Sequence, residues 1–178
     1  MPDTPCHPSA SAPLRLGISA CLLGERVRYD GGHRHNPLLS GPKTAAIQWF
    51  PCCPETGCGL GVPREPMRLE GHADRPRLRT VLGRQDHTEQ VQDWCQNHIR
   101  QVTGVAGWLL KSRSPSCGLA VTIFAEDGVQ QRTGMGILPR MLLAHDPAVP
   151  MIEGDLLRDE QAVDAFLRQV EERRQSDT

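Results

Sequence analysis

The chain of 178 residues combines 38% hydrophobic with 23% charged residues, the composition of a soluble globular protein large enough to bury its own core. Its formal net charge of -1 lacks the basic excess of a nucleic-acid-binding surface, and no stretch approaches the ~18 consecutive apolar residues of a membrane span. The seven cysteines are an odd number in a chain that does not need disulfide bridges, so metal binding, catalysis or burial must account for them.

The first 13 residues, MPDTPCHPSASAP, predict a flexible tail, because Pro, Ser and Ala predominate and no apolar segment is present. The segment also lacks the charged start and apolar centre of a secretory signal. We therefore expect a cytoplasmic protein, in which thiols stay reduced. Residues 14–172 are predicted to form a single domain, followed by a short C-terminal tail at residues 173–178.

Short apolar runs bounded by Gly or Pro predict the strands. In chain order they cover residues 14–21, 45–53, 105–110, 119–130 and 148–154. The strand within 119–130 is expected to end in a turn at Asp127 and Gly128. Residues 75–83 are compatible with either a further strand or an extended loop.

Helical periodicity is clearest in residues 87–104, where one apolar face is formed by Val91, Trp94, Cys95, His98, Ile99 and Val102. Cys95 is expected to fill the core on this face rather than to bind a metal, and His98 is expected to be a hydrogen-bonded, partly buried histidine. A short helix broken by Gly41 and Pro42 is predicted within 36–47, and a further helix, with Pro139 as its weak point, within 135–145. Asp159 is expected to cap a last helix, whose packing face consists of Val163, Phe166, Leu167 and Val170.

The alternation of short buried strands with helices predicts an α/β fold, a single three-layer domain with a mostly parallel central sheet that is Rossmann-like. Three cysteines, Cys21, Cys53 and Cys117, lie at or just beyond the ends of three different predicted strands. Parallel strands present their carboxyl ends at one edge of the sheet, where ligands bind in such folds. The sequence therefore predicts that the three thiols converge at this edge.

Three converging thiols have three interpretations. Structural zinc sites usually combine Cys-x-x-Cys pairs with four protein ligands, and no such pair occurs here. An iron–sulfur cluster with one iron left without a protein ligand suits soft thiolates better and would offer a Lewis-acidic position to a substrate. Ordinary burial at strand ends is the third interpretation, although the polar, Gly- and Pro-rich sequence around each thiol counts against it.

Three sequence blocks carry a resemblance to a known family: ISACLLGERVRYDGGHRHNP, CPETGCGLGVPREP and KSRSPSCGL. They resemble the signature blocks of the thiouracil desulfurase (desulfidase) family, formerly a bacterial family of unknown function. The blocks occur in the order of that family, and the resemblance extends over residues 14–145.

The resemblance implies an oxygen-sensitive 4Fe–4S cluster held by only three cysteines, Cys21, Cys53 and Cys117, with one iron free of protein ligands. It also implies an enzyme that removes sulfur from 2-thiouracil or a related thiolated pyrimidine, giving uracil and hydrogen sulfide. By similarity, Glu55 and Ser112 are the catalytic residues that handle protons. The alternative role of Glu55 is to cap the turn that follows it.

Two positions depart from the family pattern. Val27 and Cys58 stand where many relatives have a cysteine and a glycine, and neither position belongs to the matched ligands. Cys52 provides a second thiol next to Cys53. We prefer Cys53 as the ligand because it directly precedes the Pro-Glu pair of the motif.

Three further polar residues of these blocks are candidate substrate-binding groups. Asp30 can accept ring N–H bonds, Lys111 can attract an anionic substrate or product, and Ser116 can hydrogen-bond the substrate or the cluster sulfides. Their alternative roles are a turn aspartate, an exposed lysine and a loop serine. The expected partner is a free thiolated nucleobase rather than intact nucleic acid or a membrane, and the sequence leaves the oligomeric state open.

Two other functions are compatible with these residues. An iron–sulfur redox or iron sensor would need a DNA-binding element or an exposed apolar patch for its partner, and no helix-turn-helix pattern is evident. The second is a zinc-stabilised domain without catalysis, which would contain zinc, whereas the desulfurase and the sensor would both contain iron and sulfide.

Overall fold

The computed structural model describes residues 13–125 and 131–176. Its strands are Arg15–Ser19 (β1), Gln48–Cys52 (β2), Met67–Glu70 (β3), Arg77–Thr80 (β4), Trp108–Leu110 (β5), Val121–Phe124 (β6), Gln131–Gly134 (β7) and Met151–Glu153 (β8). Its α-helices are Pro54–Gly57 (α1), Thr88–Gln101 (α2), Ile137–His145 (α3) and Glu160–Ser176 (α4). The turn predicted at Asp127 and Gly128, and residues 1–12 of the predicted N-terminal tail, lie outside the described residues.

The strands form two four-stranded sheets. Sheet A has the order β2-β1-β5-β8, and all of its neighbouring strands are parallel. Sheet B has the order β4-β3-β6-β7 and is mixed, because only β3 and β6 are parallel. The α/β class and the parallel sheet are confirmed, whereas the Rossmann-like label stays a prediction. Sheet B as a second sheet was not predicted.

One face of sheet A packs against the C-terminal helix. Successive strand residues point to opposite faces, and Leu16, Ile18 and Leu109 all belong to the buried cluster on this side. Helix α4 covers the cluster with three buried residues of its predicted face, Val163, Phe166 and Val170. The side chain of Asp159 accepts a hydrogen bond from the backbone nitrogen of Ala162 at 2.8 Å, as expected of a capping residue.

The other face of sheet A shares a buried cluster with α2, α3 and sheet B. Trp108 and Leu110 of β5 belong to this cluster, together with Leu69 of β3 and Leu78 of β4. Helix α2 contributes its predicted apolar face, and Cys95 on that face is fully buried. Cys95 is therefore a core residue, as the periodicity indicated.

None of the helices in residues 13–125 and 131–176 is long and apolar enough to cross a membrane.

Two segments differ from the sequence expectations, and residues 75–83 adopt one of the two alternatives left open for them. Residues 36–47 contain two short 3-10 segments, Pro37–Ser40 and Pro42–Thr44, each with a proline in its first turn. The segment is interrupted at Gly41 and Pro42, as predicted, because proline donates no backbone hydrogen bond and is tolerated only at a helix start. Residues 75–83 contain strand β4, and α4 continues through Ser176, into the segment expected to be a tail.

The strand order places a ligand-binding edge beside β1. In sheet A, β1 lies between β2 and β5. The chain therefore continues from β1 to one side of it, into β2, and later returns to its other side, into β5. Open parallel sheets bind ligands outside the carboxyl ends of their strands at such a point. Ser19, Cys52 and Leu110 are the last residues of β1, β2 and β5, and the residues that follow them form this edge.

Candidate active site

A cavity of about 270 Å³ opens at the carboxyl edge of sheet A. This volume is near the lower end of the range of small-molecule sites. Its lining includes four thiols, a carboxylate and an ammonium group: Cys21, Cys52, Cys53, Cys117, Glu55 and Lys111. The structure thus brings the three thiols singled out in the sequence to one cavity.

Two of the thiols are presented by short turns directly after a strand. Cys21 lies in a 3-10 turn, Ala20–Leu23, which follows β1 and ends at Gly24 with a φ of 100°. This left-handed backbone favours glycine, which lacks the Cβ that would clash. Cys53 is the N-cap of α1, where Pro54 occupies the first helical position and has no backbone N–H to leave unpaired.

Cys117 lies in a tight turn organised by Ser114. The hydroxyl of Ser114 accepts hydrogen bonds from the backbone nitrogens of Ser116 at 3.3 Å and Cys117 at 3.2 Å. Its carbonyl accepts the backbone nitrogen of Gly118 at 2.8 Å. Serine in this position satisfies local backbone donors, as in other ST turns. The Ser-rich sequence before Cys117 therefore fixes the backbone that carries the thiol.

The same turn is anchored to the beginning of α3. The backbone nitrogen of Leu138 donates to the carbonyl of Ser116 at 2.8 Å, and that of Gly136 donates to Gly118 at 2.8 Å. The first N–H groups of a helix have no partner within the helix. Here they bind the Cys117 turn, so α3 holds the third thiol in place.

Burial raises the pKa of two of these thiols, Cys21 and Cys117. Burial and, next to it, the nearby Cys53 together raise the pKa of Cys21 to about 11, against smaller opposing effects of Lys111 and Arg28. Burial also raises the pKa of Cys117 well above its ordinary value of 9.0. Thiols of this kind must lose their protons to bind a metal group, so binding releases protons to the solvent. In the described part of the chain, no three His, Cys, Asp or Glu side chains are arranged to hold a single metal ion.

Cys52 and Cys53 both line the cavity but differ in their surroundings. Cys52 ends β2, is 4% exposed and belongs to the same buried cluster as Cys95. Burial raises its pKa well above the ordinary value, with Cys95 as the next contributor. Cys53 is only half-buried, and its Sγ lies 3.9 Å from the carbonyl oxygen of Val27 in the cavity wall. Cys52 is therefore more deeply embedded in the core than Cys53.

Glu55 is held at both carboxylate oxygens. The hydroxyl of Ser116 donates to Oε1 at 2.7 Å, and Nε of Arg64 donates to Oε2 at 2.8 Å. Nη2 of Arg64 lies 2.6 Å from the same Oε2. The side chain of Glu55 is only 12% exposed, so these partners compensate the burial of its charge.

Lys111 and Ser112 follow β5 and line the same cavity. The backbone nitrogen of Lys111 donates to the Ser19 hydroxyl at 3.0 Å, and its Nζ donates to the carbonyl of Ser112 at 2.7 Å. Burial lowers the pKa of Lys111, partly offset by Asp155 with its Oδ1 3.9 Å from Nζ. The Ser112 hydroxyl accepts the Asp155 backbone nitrogen at 3.2 Å and keeps its own proton available for donation.

Comparison with known proteins connects this arrangement to a family. A profile of the 2-thiouracil desulfurase family matches residues 16–154. The chain belongs to this family. Its fold also matches a solved structure of a [4Fe-4S]-dependent thiouracil desulfidase, TudS, with a TM-score of 0.65 and 28% sequence identity. The match covers 86% of this chain and 99% of the other. None of the curated proteins compared with the chain matches it significantly.

Two of the candidate substrate-binding residues of this desulfurase family member do not line the cavity. Ser116 is fully buried behind Glu55, to which it donates. Asp30 is exposed and pairs with Arg28, whose Nη2 lies 3.1 Å from Oδ2. This hydrogen bond, with that from the Gly32 amide, lowers the pKa of Asp30 to about 2. Arg28 lines the cavity in place of its partner.

Sequence reasoning missed several residues that shape the site. Arg64 and Tyr29 line the cavity, and Tyr29 is an aromatic side chain that is 41% exposed at its wall. Ser114 organises the Cys117 turn. The sequence offered one signal for Ser114, namely a hydroxyl residue three positions before Cys117 in SPSC. For Arg64 the one signal was its presence in the second family block, CPETGCGLGVPREP. A single arginine has no characteristic spacing, so its partner emerges only from the fold.

Proposed function

We propose that this protein removes sulfur from 2-thiouracil or a related thiolated pyrimidine, giving uracil and hydrogen sulfide. The observation that carries the proposal is the convergence of Cys21, Cys53 and Cys117 with Glu55 on one cavity, in a chain of the 2-thiouracil desulfurase family. One water molecule replaces the sulfur, and its two protons leave on the sulfide. The reaction therefore balances without an oxidant or a reductant.

We assign Cys21, Cys53 and Cys117 as the ligands of a 4Fe–4S cluster with one iron free of protein ligands. Three soft sulfur donors from three separate turns suit this cluster, and the similarity to a [4Fe-4S]-dependent desulfidase supports it. When bound, the cluster supplies a Lewis-acidic position for the thiocarbonyl sulfur of the substrate.

Glu55 is assigned as the group that accepts a proton from the attacking water. Its carboxylate lines the cavity and is kept in one orientation by Ser116 and Arg64. General base catalysis by a positioned carboxylate typically contributes about 10²–10⁴-fold. Because Ser116 is fully buried, we assign it to hold Glu55 rather than to contact the substrate.

Ser112 is assigned to bind the substrate, and Lys111 is assigned to stabilise the leaving sulfide. The Ser112 hydroxyl accepts a hydrogen bond from the Asp155 backbone nitrogen, and its own proton can be donated to the substrate. The ammonium group of Lys111 lies beside Ser112 and provides positive charge near the leaving sulfide. Asp30 is assigned an indirect role, since it fixes Arg28 at the cavity wall.

The substrate is proposed to be a free base. A cavity of about 270 Å³ accommodates a small molecule, and the chain has a formal net charge of -1 without the basic excess that binds intact nucleic acid. We place the protein in the cytoplasm, where the thiols of the cavity would stay reduced.

The proposal is tested by metal analysis and turnover on anaerobically purified protein. We expect iron and acid-labile sulfide in equal amounts and conversion of 2-thiouracil to equal amounts of uracil and sulfide. Cys117→Ala should lose most of the iron and the activity. Cys95→Ala is the matched control, because Cys95 is buried in the core and does not line the cavity.

Each outcome separates the competing functions. Zinc alone, or no metal after anaerobic reconstitution with iron and sulfide, would contradict the desulfurase proposal. A complete cluster without any turnover of thiolated pyrimidines would favour the sensor interpretation.

A further inference from the structure

We propose that Arg64 is a positioning residue, which acts on the reaction by holding the Glu55 carboxylate toward the substrate. The inference rests on the proposed function, because it assigns Arg64 a part in that same site. It goes beyond the three cysteines and the two proton-handling residues, none of which explains how Glu55 is oriented.

The contact between the two side chains is close and shielded from water. Nε and Nη2 of Arg64 approach Oε2 of Glu55 at 2.8 and 2.6 Å, while the side chains are 10% and 12% exposed. Ser116 occupies the other oxygen at 2.7 Å. A carboxylate with both oxygens bound by fixed donors cannot rotate freely, and its remaining lone pairs keep one direction.

Arg64 is itself fixed by backbone carbonyls of one other segment, residues 27–29, and of its own loop. Nη2 donates to the carbonyl of Val27 at 2.9 Å, and Nη1 donates to the carbonyl of Gly61 at 3.1 Å. Its backbone nitrogen donates to the carbonyl of Tyr29 at 2.9 Å. Most of the guanidinium N–H groups are therefore engaged by the chain itself. This arrangement favours a role through Glu55 over direct binding of the substrate.

Local structure alone does not orient Glu55. Helix α1 is a single turn, Pro54–Gly57, and Glu55 lies in its first positions. A glutamate on such a short element has several rotamers available. Since a displacement of about 1 Å in a reacting group can cost on the order of 10²-fold in rate, the contact with Arg64, together with that of Ser116, keeps Glu55 productive.

Positioning predicts a specific kinetic signature. Arg64→Met should lower kcat for 2-thiouracil by about 10- to 100-fold, while KM changes little and the iron and sulfide content stay at the wild-type level. Arg64→Lys keeps the charge but loses the planar fork, so it should retain an intermediate kcat. A small alkylguanidinium ion added to Arg64→Ala should restore part of kcat.

The deciding measurement is a double-variant comparison on the cluster-loaded enzyme. If Arg64 acts only through Glu55, the double variant Glu55→Gln with Arg64→Met should be no slower than Glu55→Gln alone. Losses that multiply in the double variant, or a raised KM with unchanged kcat in Arg64→Met, would show that Arg64 binds the substrate directly and would overturn the inference.

The matched control is Arg68→Met. Arg68 also forms a close pair with a buried carboxylate, Nε to Oε1 of Glu70 at 2.7 Å, but it lies on sheet B and does not line the cavity. Its kcat should remain that of the wild type. If Arg64→Met fails to fold, Arg64→Lys with Glu55→Gln supplies the same comparison. Absence of turnover in the wild type would refute the proposed function itself, whereas normal wild-type turnover with an unaffected Arg64→Met would refute only the positioning role.

Discussion

Gly136 lies so close to the Cys117 turn that a Cβ atom on it would stand 3.0 Å from the backbone nitrogen of Cys117. The same Cβ would be 2.9 Å from the carbonyl oxygen of Pro115. Both contacts are with backbone atoms, which cannot rotate out of the way. The φ of Gly136 is −64°, which suits any residue, so glycine is required here for space rather than for backbone freedom.

Gly136→Ala should therefore displace the Cys117 turn. We expect a lower iron content and a fall in turnover of about 10-fold or more, because the backbone of the turn that carries the third ligand has to move to make room for the Cβ atom. The measurement is iron per chain together with the rate of sulfide release. Gly41→Ala is the control, since its φ is −86° and the nearest atom to its Cβ would be at an ordinary 3.5 Å. Equal iron contents in the two variants would contradict the prediction.

Gly17 and Trp108 are neighbours across the register of β1 and β5, and the indole ring lies over the glycine. A Cβ on Gly17 would be 2.2 Å from the ring, inside the core, where Trp108 is 3% exposed. We expect Gly17→Ala to destabilise the protein by about 1–3 kcal/mol or more. At this chain length, that corresponds to a lowering of Tm of roughly 2–12 °C.

The origin of this loss can be checked in a second background. In a Trp108→Leu protein the ring is absent, so adding Gly17→Ala should lower Tm by clearly less than it does in the wild type. A loss of the same size in both backgrounds would mean that overlap with Trp108 is not the cause.

The neighbouring thiols Cys52 and Cys53 should respond differently to replacement. Cys53→Ala is expected to remove most of the cluster iron, because Cys53 is the assigned ligand. Cys52→Ala should keep the iron but lower the free energy of unfolding by roughly 0.5–1.5 kcal/mol, as for other small deletions in a core. Iron content and thermal unfolding of both variants, measured anaerobically, decide the assignment. Loss of iron only in Cys52→Ala would exchange the two roles.

His98 predicts a pH dependence of stability away from the cavity. Its ring stacks on Trp94 with centroids 4.5 Å apart, and its Nε2 is buried without a hydrogen-bond partner among the described residues. Burial lowers the pKa of His98 below its ordinary value of 6.5. The unfolded chain therefore binds the proton more tightly than the folded one. The resulting stability is complete above about pH 6.5 and is lost as the pH falls toward the folded pKa.

His98→Phe keeps the stacked ring but removes the titration. Between about pH 7.5 and pH 5.5, Tm should decrease less in this variant than in the wild type when both are compared in the same cluster state. Identical slopes of Tm against pH would exclude His98 as the source.

Much of the fold could be predicted from local patterns. Four strands of sheet A were anticipated because each is a short apolar run, and α2 and α4 because their apolar residues repeat at helical spacing. Burial of one face imposes these periods on the sequence itself. Sheet B was not anticipated, because Met67–Glu70 and Gln131–Gly134 are four-residue strands, too short and too polar to show a clear period.

The candidate site, like the fold, could be predicted from the sequence only in part. The sequence by itself determined which thiols follow which strands, because strand ends and Ser-, Gly- and Pro-rich turns are local features, and parallel strands then lead their ends to one edge. Only the tertiary structure decided that Ser116 holds Glu55, 61 residues away, and that Asp30 points to Arg28 rather than into the cavity. Such partners are chosen by the packing of loops against one another, and that packing has no period along the chain.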